Sequence, residues 1–160
     1  MREPRAPQRS AWDAAIEALA RRAHAENELR RALVRRRYDA VDVDTAIERL
    51  RSHGLLDDAA FAVTFARSRA ENRAMGARRI ATELARRGVD RHVAAAAIAE
   101  VFARESLDEQ QLLERAAERK LGTLTALPGD VRRRRLLAFL IRRGFGPTQA
   151  AAATRRLVPH

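Results

Sequence analysis

Apolar residues return at three- and four-residue steps along almost the whole chain, which is the spacing of one face of a helix. Trp12, Ile16 and Leu19 mark a first helix from about Ser10 to His24, with Ser10 and Asp13 placed as its cap. Leu29, Leu33 and Val34 mark a second from about Glu26 to Arg37, and Ala46, Ile47 and Leu50 a third that stops near Gly54. Asp57 is placed to cap the next helix, whose apolar side carries Phe61, Phe65 and Ala66. Gly76 breaks that pattern, and Ile80 and Leu84 begin another stripe that closes on Gly88, where a left-handed residue suits a helix end. Val93, Ala97, Ile98, Val101 and Phe102 form the following helix. Ser106 with Glu109 reads as a capping box ahead of Leu112, Leu113, Ala116 and Leu121. Residues 122–129, with Pro128, read as a linker before Leu136, Leu137, Leu140 and Ile141, and Pro147 opens a last helix through Ala150, Ala153 and Leu157. Residues 1–9 carry no stripe and read as a flexible arm. With almost no alternating β-branched segments, the pattern predicts an all-α fold.

The pattern also repeats. Ile80, Leu84, Arg86, Arg87, Gly88 and Val89 have counterparts in Leu136, Leu140, Arg142, Arg143, Gly144 and Phe145. Earlier in the chain the counterparts are Leu29, Leu33, Arg35, Arg36, Arg37 and Tyr38, so Arg37 takes the glycine position and that turn is expected to differ. Three tandem three-helix repeats follow, at 10–53, 54–104 and 105–160. Each is too small to be stable alone, so neighbours stack into an elongated, curved array with a large surface.

Composition changes the picture in two ways. Aromatics are 4% of the 160 residues, so alanine and leucine must supply the packing, which suits closely spaced helices. The net charge is +11, and Lys120 is the only lysine among 32 basic residues. Guanidinium groups stay charged and fork onto phosphates with paired hydrogen bonds, so polyanions are the expected partners. The absence of cysteine excludes disulfides, thiolate metal sites and cysteine nucleophiles. No run reaches the length of a membrane span and the basic N-terminus lacks an apolar segment, so a cytoplasmic location and no membrane partner are expected.

Helical geometry gives the arginines a direction. With Ile80 facing the core, Leu84 falls roughly 40° away, and Arg78, Arg86 and Arg79 fall at roughly 160°, 240° and 260°. Arg134, Arg142 and Arg135 hold the same places in the third repeat, and the first keeps Arg35. Arg36, Arg87 and Arg143 lie nearer the core edge, where stems pack and heads emerge. From residue 125 onwards eight arginines stand against Asp130 alone, whereas residues 105–124 are net acidic. A solvated outer face explains any single Arg-Arg pair; the recurrence on the side away from the core favours a phosphate-binding surface that follows backbone charge and weakens with salt. Tyr38 and Phe145 could stack on bases, but their shared repeat position suits the core better.

Nothing in the chain points to catalysis. His24, His53, His92 and His160 have no metal-ligand spacing, and none of Ser10, Ser52, Ser68 and Ser106 has a nucleophile's setting. Asp57 and Asp58 form an adjacent carboxylate pair, better explained by a helix cap than by magnesium. No glycine-rich phosphate loop precedes a helix, so no nucleotide, metal or other cofactor is expected.

GLLDD from Gly54 to Asp58, Phe61, Arg69, and then GARRIATELARRGV from Gly76 to Val89 resemble the signature of the RecX family, small basic regulators of RecA recombinase. The resemblance is strongest over residues 26–104; the third repeat joins it through the internal repetition. It implies a monomer that lies in the groove of the RecA–single-stranded DNA filament, contacts protein and DNA, and suppresses ATP hydrolysis, strand exchange and coprotease activity, with consequences for recombination, repair and the SOS response. Binding to double-stranded DNA, without sequence preference, is compatible with the same charge. Two other readings stay open: a free-standing helix-turn-helix-like DNA binder, and a helical adaptor that binds protein alone. Against the first, the recurring arginines precede the glycine turn, and the helices after Val89 and Phe145 are alanine-rich and poor in base-reading side chains.

Overall fold

Each apolar stripe becomes a helix, and local chemistry sets where the helices start and stop. The structure, a computed structural model, describes residues 9–159. Its helices are α1 (Ala11–Arg21), α2 (Glu26–Arg35), α3 (Ala40–Ser52), α4 (Asp58–Arg73), α5 (Ala77–Arg87), α6 (Arg91–Arg104), α7 (Glu109–Gly122), α8 (Gly129–Arg142) and α9 (Pro147–Leu157). The expected arm, residues 1–9, lies outside the described residues except for Arg9, whose Nη1 meets Glu17 Oε2 at 3.0 Å. Ser10 and Asp13 form a reciprocal capping box on α1, and Asp57 accepts from the Ala60 amide at the start of α4.

Two local expectations are corrected. Asp108, not Ser106, caps α7, accepting from the Gln110 amide at 2.9 Å, while Ser106 takes a left-handed φ of 47° in the turn after α6. Both residues can cap, but only Asp108 stands immediately before the first helical residue. The Arg37 turn does not differ from its counterparts: Arg37 holds φ 65°, beside 88° at Gly88 and 91° at Gly144. The next residue closes the same hydrogen bond in all three repeats, Tyr38 N to Leu33 O, Val89 N to Leu84 O and Phe145 N to Leu140 O.

The helices pack in threes, α1–α3, α4–α6 and α7–α9, and contacts across those groups are sparse. Leu29 and Leu33, Ile80 and Leu84, Leu136 and Leu140 are all fully buried, so the repeated pair anchors each module. Burying such a side chain is worth about 1.5–3 kcal/mol. On α4 the buried stripe is Ala62, Ala66 and Ala70, with Phe61 and Phe65 half-buried at its edge and packed against the same core. Small side chains let α4 lie close against α6, the most extensive helix pair in the chain. The first module keeps its own apolar cluster around Leu29, Val43, Ile47 and Leu50. A second cluster runs continuously through the other two modules.

The modules meet in the same way twice. The C-terminal turn of α5 abuts the N-terminal turn of α2, with Asn27 Nδ2 donating to Gly88 O at 2.9 Å and an Arg31 guanidinium nitrogen to Arg86 O at 3.0 Å. The C-terminal turn of α8 abuts the N-terminal turn of α5, with Gly76 N donating to Arg143 O at 2.9 Å. Carbonyl ends therefore face amide ends at both junctions, the favourable order for helix dipoles.

Candidate nucleic-acid interface

Because α5 is anchored by Ile80 and Leu84, Arg78 and Arg86 are turned out to solvent while Arg79 is half-buried. The same anchoring of α8 by Leu136 and Leu140 exposes Arg134, Arg135 and Arg142 and leaves Arg143 half-buried. Arg35 and Arg36 are exposed at the end of α2. Arg35 stands eight residues beyond Asn27, so the pair lies about 12 Å along the helix axis from the Asn27 contact with α5.

The second junction gathers the largest share of these residues. Arg78, Arg79 and Arg142 line a cleft of about 280 Å³ with Thr82, Gly144 and Phe145. Arg134, Arg135 and Arg142 line a neighbouring one of about 320 Å³ with Lys120. A third, of about 290 Å³, brings Arg79, Arg142 and Arg143 together with Arg73, Met75 and Phe139. Arg142 lines all three, so the clefts form one basic surface across the seam between α5 and α8. Helical geometry placed these arginines on one side of each helix; it could not show that the end of α8 comes against the start of α5. Arg73 and Lys120 were missed for the same reason, since only tertiary packing brings the end of α4 and the end of α7 to this surface.

Arg86 and Arg87 lie instead at the first junction. Arg87 Nη1 donates to both oxygens of Glu28, at 2.9 and 3.1 Å, and the guanidinium lies 5.0 Å from the Phe65 ring centroid. Burial pushes the Glu28 carboxyl up, but the Arg22 hydrogen bond and the charges of Arg87 and Arg22 outweigh it, holding it below the ordinary glutamate value. Arg143, the repeat counterpart of Arg87, has no such partner among the described residues. Its guanidinium lies 4.9 Å from the Phe139 ring centroid and its Nη1 donates to Arg73 O at 2.6 Å. Burial, followed by the charges of Arg73, Arg119 and Arg79, pulls its pKa below the usual arginine value, with Glu83 opposing. Tyr38 is half-buried and Phe145 buried, so Phe145 offers no ring face for a base. Among the described residues no group of three or more His, Asp or Glu could hold a metal ion, and no helix is long and apolar enough to cross a membrane.

Fold and surface together define an all-α tandem repeat of three-helix modules with an arginine-lined seam. Family models for the first, second and third three-helix domains of RecX match residues 11–50, 57–98 and 108–153. The regulatory protein RecX of Halorhodospira halophila is 40% identical over 154 residues, covering 96% of this chain and 91% of that protein. Its counterpart in Pelodictyon phaeoclathratiforme is 35% identical over 144 residues, covering 90% and 86%. The crystal structure of RecX from Lactobacillus salivarius superposes with a TM-score of 0.70 at 16% identity, over 92% of this chain and 94% of that one. The chain belongs to the RecX family, whose curated members are named as regulatory proteins.

Proposed function

We propose that the protein regulates RecA by binding within the groove of its filament on single-stranded DNA and inhibiting ATP hydrolysis, strand exchange and coprotease activity. Membership of the RecX family supports the regulatory role, and the seam between α5 and α8 carries the mode of binding. Exposed guanidiniums from two modules meet there with few carboxylates beside them, as a surface for phosphates requires. A tandem array of small modules can follow neighbouring protomers of a filament while the arginines follow the strand inside it. Preferential binding to one filament state shifts the balance between assembly and disassembly. The net-acidic stretch of residues 105–124 is largely committed internally: Glu105 pairs with Arg67 at 3.0 Å and Glu114 with Arg156 at 2.8 Å. That leaves the basic seam as the stronger docking surface. The test is to preform a RecA filament on single-stranded DNA with ATP, add the protein below stoichiometry and follow ATP turnover. Inhibition is expected; unchanged turnover at every ratio would discard the reading.

A further inference from the structure

The repeat supplies its own internal control for the second junction. In repeat register Arg79 stands where Glu28 stands in the first module, and Arg143 stands where Arg87 stands in the second. At the first junction the two positions form the Glu28–Arg87 ion pair at 2.9 Å. At the second junction both are arginine. Close backbone packing sets both on one cleft there: a Cβ on Gly144 would collide with the Arg79 amide nitrogen.

Negative charge nearby is already committed or turned elsewhere. Glu83 is divided between Arg69 and Arg79, at 3.0 and 2.9 Å. Glu109 Oε1 lies 3.2 Å from where a Gly76 Cβ would be, and it forms no ion pair with these arginines among the described residues. The first turn of α5 holds no acid, whereas α2 carries Glu26 and Glu28 there. Four guanidinium-bearing residues, Arg73, Arg79, Arg142 and Arg143, thus line one cleft.

We infer that this cleft takes a backbone phosphate of a nucleic-acid strand in the place that the Glu28 carboxylate holds at the first junction, so that the strand itself clasps the second and third modules together. The inference rests on the reading under Proposed function and assigns that reading one bridging site. The surroundings favour a strand over an acidic peptide. The cations continue past the cleft on both sides, through Arg78 on one and Lys120, Arg134 and Arg135 on the other, a run suited to evenly repeated charge. Because the phosphate binds both modules only when they are docked, binding also stabilises that arrangement.

The test uses the full chain and a fluorescently labelled oligothymidylate, with affinity read by anisotropy at several salt concentrations. Arg79→Glu offers Arg143 the partner found at the first junction but gives up the Arg79–Glu83 pair and sets two glutamates at i,i+4, so helical content is expected to hold while the melting temperature falls slightly. Affinity is expected to fall about tenfold or more, and the salt slope by about 0.7. Arg79→Gln is expected to lie between this variant and the unaltered chain. Unchanged affinity in both variants would overturn the clasp. So would weak binding by Arg79→Glu accompanied by lost helical content, if Arg79→Gln then bound like the unaltered chain. Polyglutamate displacing the oligothymidylate at equal charge concentration would overturn the choice of a nucleic-acid occupant. If the filament's ATP turnover is unaffected by the protein while both variants lose DNA affinity as expected, the regulatory reading fails and the clasp stands. If turnover is inhibited and both variants bind DNA normally, the clasp alone fails.

Discussion

At the first junction, Glu28 receives both Arg22 and Arg87, Asp58 accepts from the Glu26 amide at 2.8 Å, and Asn27 and Arg31 satisfy the carbonyls that end α5. At the second, an apolar cluster runs through the seam, glycines bring backbone against backbone, and Arg79 and Arg143 line one cleft with no carboxylate bridging them among the described residues. The same repeat positions therefore serve opposite ends. One junction neutralises its charge and can be held by its own side chains. The other relies on close packing, which leaves its charge available to a partner. A tandem repeat can divide labour in this way because each junction involves only neighbouring modules.

The largest contrast is expected at the glycines. Gly144→Ala places a Cβ against the Arg79 backbone at a φ of 91°, and should cost about 3 kcal/mol through left-handed strain and overpacking. Gly54→Ala, at φ 65° with nothing within 4 Å, should cost only about 1 kcal/mol. Urea melts of the two variants check this, and equal losses would mean that the second seam is looser than its close packing implies.

A smaller effect is expected from the first junction. Glu28→Gln removes the acceptor shared by two guanidiniums and should cost about 1–2 kcal/mol in the same melts, with little change in DNA affinity. The contribution is also tied to pH. The Glu28 pKa is lowered in the folded chain, so its stabilisation is fully present above the ordinary glutamate value and is lost as pH falls through the depressed one. The variant and the unaltered chain should therefore converge in stability under acid conditions, and a gap that persists at low pH would point to packing rather than charge.

Spacing along the chain was enough to find the helices, the triplet repeat and the buried pairs such as Leu136 and Leu140, because helical periodicity is a local property. It was also enough to send Arg78, Arg86, Arg134, Arg135 and Arg142 outward. It failed at Arg37, where the local helix-ending bonds Arg37 N to Val34 O and Tyr38 N to Leu33 O form with a non-glycine residue in the left-handed region. It failed at Ser106, where two capping residues stood within reach of one helix start. The division between junctions was hidden for a deeper reason. That Arg87 meets Glu28 while Arg143 donates to Arg73 O and shares a cleft with Arg79 depends on how modules dock, and no period within a helix records it.

The role of the second seam is tested most directly by the salt dependence of single-stranded DNA binding when Arg134, Arg135 and Arg142 are all changed to Glu. Helical content by circular dichroism should match the unaltered chain, since all three side chains are exposed. Affinity should drop at moderate salt, and the slope of log K against log salt should flatten by about 0.7 for each phosphate that is no longer neutralised. A folded triple variant that binds with the original affinity and slope would place the phosphate-binding surface elsewhere on the molecule.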